Sequence, residues 1–178
     1  MIVRAALLDD AGAVAAIYAH HVLHGAGTFE EVPPSAEEMR ARMQAVLDRT
    51  LPWFVAEADG RLLAYAYAAP YRLRSAYRYT AEDSVYVAPD AMRRGAGQAV
   101  LQAVTDACAA MGLRQLVAVI GDSANAGSVG LHAALGFDMV GTLPAAGYKH
   151  GRWLDVVIMS KALNGGGASE PRGGGIDL

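Results

Sequence analysis

Apolar and polar positions change period several times along the chain, and each change marks an element. Ile2 to Arg4 reads as a short strand. Asp9 or Asp10 can cap a helix that runs to about His24 and carries Val14, Ile17, Tyr18 and Val22 near one face, with Gly25 and Gly27 to stop it. After the loop Thr28 to Pro34, Ser35 and Glu38 stand in capping-box spacing and open a polar helix that ends near Arg49. Trp53 to Ala58 and Leu62 to Ala69 flank Asp59-Gly60, a strong hairpin turn, so the two segments pair antiparallel.

Further on, Ser84 to Ala88 is a strand, Gly95 to Met111 has the period of a buried helix, and Arg114 to Gly121 contains the apolar run Leu116 to Ile120. These form a β-α-β unit. Asn125 to Leu135 is a helix closed by Gly136, and Phe137 to Gly141 and Leu154 to Met159 supply the last strands. Residues 1–163 therefore make one domain, an α/β fold with a mixed sheet and helices packed on it. Residues 164–178 are Gly-rich with almost nothing to bury, which predicts a disordered tail.

Composition narrows the function classes. The 178 residues are 53% hydrophobic and 19% charged with a formal net charge of -3, which excludes a disordered chain and argues against a general nucleic-acid binder. No run approaches the roughly 18 apolar residues of a membrane span, and the charged N-terminus lacks the apolar core of a signal peptide. Cys108 is the only cysteine, so neither an intrachain disulfide nor a cysteine zinc cluster can form, and a cytoplasmic protein is expected. His20, His21 and His24 have no carboxylate partner by spacing and read as helix surface or packing, with no metal expected.

Charge is nevertheless distributed unevenly. Arg72, Arg74, Arg78, Arg93 and Arg94 fall in one stretch against only Glu82, Asp83 and Asp90 as acids. In Pro89-Asp90-Ala91-Met92-Arg93-Arg94-Gly95-Ala96-Gly97-Gln98, proline ends a strand and two glycines open a helix whose first amides lack partners within the helix. Amides, helix dipole and arginines together suit a phosphate. Neither the Walker A pattern nor the full dinucleotide fingerprint fits.

This strand, loop and helix resemble the acyl-CoA-binding motif of the GNAT superfamily of N-acetyltransferases. Tyr65 to Arg72, Thr80 to Val87, Val117 to Gly121 and Ala145 to Trp153 narrow the likeness to phosphinothricin N-acetyltransferases and the related methionine sulfoximine or sulfone acetyltransferases. The resemblance covers about Ile2 to Leu163 and implies a mixed, mostly antiparallel central sheet with a splayed strand pair and flanking helices. It implies acetyl-CoA as co-substrate, held by Val85, Tyr86 and Val87 along the pantetheine, by Arg93, Arg94, Gly95, Ala96, Gly97 and Gln98 at the pyrophosphate, and by Asn125. Met92 departs from the family, which usually has Gln or Arg there.

Acetyl transfer from a thioester needs a neutral amine, so a base must remove a proton. The resemblance puts Glu82 in that role, with Asp83 the weaker alternative because neighbouring strand residues face opposite ways. The plain alternative for Glu82 is pairing with Arg78. His132 falls where many members place the tyrosine that protonates the departing thiolate, although a lone histidine on an apolar helix is often only packed. For the acceptor, the resemblance assigns Arg72 to a carboxylate and Phe29 and Glu31 to the pocket wall, with Arg74, Asp83 and Ser84 nearby. A homodimer is implied in the same way. Three readings stay open: acetylation of a small amino acid, acetylation of a protein N-terminus or polyamine, and a non-catalytic acyl-CoA-binding module.

Overall fold

Strand β1 (Ile2–Ala5) passes through a 3-10 turn at Leu8–Asp10 into helix α1 (Ala11–His24) in the computed structural model, which describes residues 1–178. The apolar face of α1 is buried as its period requires, with Val14, Ile17, Tyr18 and Val22 inside. Its expected side-chain cap is not made. Asp10 precedes the helix, but its carboxylate accepts from the Leu7 amide at 2.8 Å and from both terminal nitrogens of Arg4, tying β1 to the helix start. Ser35 does cap α2 (Ala36–Leu47), accepting from the Glu38 amide at 3.1 Å.

Strands β2 (Trp53–Ala58) and β3 (Arg61–Pro70) form the expected hairpin. Asp59 and Gly60 have φ of 52° and 72°, the left-handed pair that matches strand twist in a two-residue turn. There follow β4 (Thr80–Val87), α3 (Ala96–Ala110), β5 (Gln115–Gly121), α4 (Ala126–Ala134), β6 (Asp138–Lys149) and β7 (Arg152–Ala162). β4 begins four residues before the expected Ser84, because Thr80 to Asp83 pair with β5 and Ala81 to Asp83 also pair with β3.

The sheet order is β1-β2-β3-β4-β5-β7-β6; β4 and β5 run parallel and every other neighbour antiparallel. Period-two alternation in β3 sorts its residues by size. Ala64, Ala66 and Ala68 join one core cluster with Val100, Leu101 and Val104 of α3, where small side chains let the helix approach. Tyr65 joins the cluster on the other face with Val14, Val22, Met39 and Met43 from α1 and α2. Cys108, in the middle of α3, is core, and burial pushes its thiol up to about 12.

The tail corrects the sequence reading. Ile176 is buried in the α3-side cluster, its amide donates to the Arg78 carbonyl at 2.7 Å, and the Tyr79 hydroxyl donates to the Gly173 carbonyl at 2.6 Å. Arg114 adds bonds to the Gly166 and Ser169 carbonyls. One apolar residue among glycines is invisible as a pattern, yet it fills a site formed by residues distant in sequence.

Candidate active site

Pairing between β4 and β5 stops at Asp83 and Ala118. Beyond that point the strands diverge, and Ser84–Val87 and Val119–Gly121 no longer share a ladder. The Ala88 amide donates toward β3, to the Leu63 carbonyl, so alternation turns the peptide groups of Val85 and Val87 toward the gap. A cavity of about 820 Å³ occupies this fork. Its wall includes Val85 to Val87, Arg93, Gly95 to Gln98 and Asn125, nine of the ten residues expected to hold CoA; Arg94 is exposed and outside it.

The loop beneath the cavity has the backbone of an anion cradle. Arg93 and Gly95 are left-handed, with φ of 61° and 81°, and Gly95 is the N-cap of α3. A Cβ at Gly95 would meet nothing within 4 Å, so the space over the first amides of α3 is open. A Cβ at Gly97 would fall 2.9 Å from Val87 Cγ2, so that glycine lets the helix start lie against β4. The free amides, the open side and the helix dipole fit a pyrophosphate. Arg61 pairs with Asp90 and so offsets the one acid of the loop. Asn125 caps α4 through a 3.2 Å bond from the Ser128 amide while lining the cavity.

Alternation separates the titratable groups of β4. Ser84 stands across from Tyr67, and Tyr86 stacks on Tyr65, which places Glu82, Ser84 and Tyr86 on the α1/α2 face. Burial, reinforced by the neighbouring Asp83, pushes the Glu82 carboxyl up, and Arg72 opposes the rise. The Glu82–Arg78 pairing is not formed; the Arg78 guanidinium donates to the Ser75 carbonyl at 2.8 Å. Arg72 is exposed, with its guanidinium 4.7 Å from the Tyr71 ring centroid, and Arg74 is exposed just before a 3-10 turn.

Asp83 points the other way and is not an available base or acceptor contact. It is 5% exposed, and its Oδ2 lies 2.9 Å from His132 Nε2. His132 is equally buried, and its Nδ1 donates to the Ser128 carbonyl at 2.8 Å, so neither ring nitrogen is free. Burial raises the Asp83 carboxyl; in His132 burial opposes the charged ring, but the bond to Asp83 outweighs it and the net direction is upward.

The loop between α1 and α2 closes the far side. The Phe29 ring sits where a Cβ on either Gly121 or Gly147 would crowd it, so these glycines form its seat. Glu31 is exposed, whereas Glu30 is tied to Tyr18 at 2.9 Å and to Arg42 at 2.7 Å. Lys149, for which the sequence suggested no more than hairpin or pocket-rim structure, is 2% exposed and donates to the Gly25 and Thr28 carbonyls at 3.0 and 2.8 Å, pinning the loop to β6. Its scarcity as one of two lysines was the only sequence signal. His21 Nε2 donates to the Val87 carbonyl at 2.8 Å, and no cluster of three metal-ligating side chains exists.

Comparison with known proteins agrees with this geometry. The model of the acetyltransferase (GNAT) domain family matches residues 3–158. A phosphinothricin N-acetyltransferase of Alcaligenes faecalis is 54% identical over 169 residues, covering 95% of this chain and 86% of the relative. An L-methionine sulfoximine/L-methionine sulfone acetyltransferase of Pseudomonas paraeruginosa is 37% identical, covering 91% and 94%. A GNAT superfamily phosphinothricin acetyltransferase from Sinorhizobium meliloti, solved in complex with AcCoA, superposes with a TM-score of 0.93 at 41% identity, covering 98% of this chain and 94% of the other. With a splayed β4–β5 pair above a glycine cradle and a family match spanning most of its length, the chain belongs to the GNAT acetyltransferases.

Proposed function

We propose that the protein transfers the acetyl group of acetyl-CoA to the α-amino group of a small amino-acid-like acceptor such as phosphinothricin, methionine sulfoximine or methionine sulfone. The observation that carries this is the placement of Glu82: a half-buried carboxylate two residues before β4 leaves its partner β5, with Arg72 close enough to oppose the rise that burial causes in its pKa. The amides of the Gly95–Gln98 turn would hold the pyrophosphate, and the Val85 peptide edge and the Val87 amide, whose carbonyl is taken by His21, would hold the pantetheine. The acetyl thioester supplies the electrophile. Glu82 takes the proton from the acceptor amine as nitrogen attacks, and Arg72 orients the carboxylate. Phe29 on its glycine seat would wall the aliphatic part of the acceptor, with Glu31 on the polar side.

No helix is long and apolar enough to cross a membrane. The lone buried thiol agrees with a cytoplasmic setting. A homodimer is part of the same reading, supported by β6, a sheet edge that exposes Met139, Val140 and Leu143.

The test is thiol release from acetyl-CoA with phosphinothricin, methionine sulfoximine and methionine sulfone, their carboxamides, a peptide with a free N-terminus, and spermidine. The free amino acids are expected to exceed their carboxamides by about tenfold or more in kcat/KM. Preference for the peptide or spermidine overturns the acceptor class. Acetyl-CoA binding without stimulated release by any acceptor makes the protein a binding module.

A further inference from the structure

The loop that carries Arg72 has no core of its own. Between β3, which ends at Pro70, and β4, which begins at Thr80, every residue from Arg72 to Arg78 is exposed. Its order therefore comes from its internal contacts and from whatever holds its two ends. Internally, the Tyr77 amide donates to the Arg74 carbonyl at 2.9 Å, the Tyr71 and Tyr77 rings meet edge to face with centroids 5.7 Å apart, and the Arg72 guanidinium lies over Tyr71. At the β3 end the Tyr71 amide donates to the Thr80 carbonyl across a long 3.4 Å.

The β4 end is held by the C-terminal segment. The Ile176 amide donates to the Arg78 carbonyl at 2.7 Å, and the Tyr79 hydroxyl donates to the Gly173 carbonyl at 2.6 Å. The Ile176 side chain is 4% exposed and Leu178 packs against the same α3-side cluster, so the bond to Arg78 is tied to the core of the domain. Glycine makes this approach possible. Gly173 and Gly175 have φ of 90° and 73°, and a Cβ at Gly175 would fall 2.6 Å from the Arg78 carbonyl oxygen. Arg114 links the same parts again: its amide donates to the Tyr79 carbonyl at 2.8 Å, and its guanidinium to the Gly166 and Ser169 carbonyls at 2.7 and 3.0 Å. An exposed loop thus takes its anchor in the core from the far end of the chain.

We propose that the C-terminal segment sets acceptor affinity, with Ile176 a positioning residue that acts on Arg72 through the Arg78 carbonyl. Ile176 and Gly173 fix Arg78 and Tyr79; these fix the Ser75–Tyr77 turn, and the Tyr77 ring of that turn meets Tyr71, over which Arg72 lies. This rests on the reading above, in which Arg72 receives the acceptor carboxylate. No residue of the segment lines the CoA cavity, so its effect falls on the acceptor and not on acetyl-CoA.

The test is steady-state kinetics of the full chain with phosphinothricin and its carboxamide, comparing wild type, Ile176→Ala, Ile176→Val, Arg72→Ala and the double variant Ile176→Ala with Arg72→Ala. Ile176→Ala is expected to raise the KM for phosphinothricin about tenfold, with kcat within about threefold and the KM values for the carboxamide and for acetyl-CoA within about twofold. Ile176→Val restores most of the loss, because it refills the buried site. In the Arg72→Ala background, Ile176→Ala adds less than about twofold, since the two changes act on one interaction. An equal rise for both acceptors, a rise for acetyl-CoA, full additivity with Arg72→Ala, or no effect overturns the proposal and leaves Ile176 a plug in the core. Should Ile176→Ala not fold, Tyr79→Phe, which removes only the bond to Gly173, decides: a rise in KM confined to phosphinothricin supports the proposal, and its absence overturns it. Failure of acetyl transfer itself shows in the wild type alone, as thiol release that no acceptor stimulates.

Discussion

Glu82 and Asp83 are adjacent carboxylic acids with opposite fates, and the pleat of β4 is the reason. One faces the α1/α2 side half-buried, while the other is sealed against His132. A base must be deprotonated to act, so the raised pKa of Glu82 means activity falls, as pH is lowered, at a higher pH than an ordinary glutamate would give. Arg72 favours the carboxylate form, so Arg72→Ala is expected to move the acid limb of kcat/KM to still higher pH; an unmoved limb would remove the coupling. Glu82→Gln should lower kcat about a hundredfold or more at neutral pH with acetyl-CoA affinity nearly unchanged, measured by steady-state kinetics and calorimetry. That Glu82 and Asp83 face apart follows from the sequence alone. The partner of Asp83 does not, because 49 residues separate it from His132 and no local pattern links them.

At the scale of elements, the strand, loop and helix around Gly95 were legible because Pro89, Gly95 and Gly97 each answer a local backbone requirement. The two glycines do different work, and only the structure separates them. Gly95 supplies a φ of 81° over open space, whereas Gly97 permits contact between α3 and β4. Gly97→Val should therefore push the helix start off Val87 and weaken acetyl-CoA binding about tenfold or more in titration calorimetry, with a stability loss of about 1–3 kcal/mol in denaturant melts. Unchanged affinity would place the pyrophosphate elsewhere. β6 shows the opposite case. Its apolar start, Phe137 to Gly141, was visible, but the segment Thr142 to Lys149 is rich in Ala, Gly and Pro and carries no strand signal. Pairing with β7 extends the strand to Lys149, and that extension brings the buried ammonium to the Gly25–Thr28 loop.

For the whole molecule, the β6 edge exposes a run of apolar side chains, and Tyr148 and Trp153 at the end of the same hairpin are also more than half exposed. A second copy covering this edge predicts a solution mass twice that of the chain by light scattering. Val140→Lys with Leu143→Lys should shift that mass toward the monomer; a monomeric wild type at micromolar concentration refutes the dimer. The tail belongs to the same scale, since Ile176 is held only by residues from other parts of the chain.

The sequence by itself determined the alternation of strands and helices, the turn at Asp59-Gly60 and the phosphate cradle at Gly95–Gln98. Each depends on neighbours a few residues apart, where backbone sterics and periodicity act. The tertiary structure decided the divergence of β4 from β5, the Asp83–His132 pair, the Phe29 seat on Gly121 and Gly147, and the anchoring of Lys149 and Ile176. These are contacts between distant segments, and their energies come from burial and desolvation that exist only once the sheet has assembled.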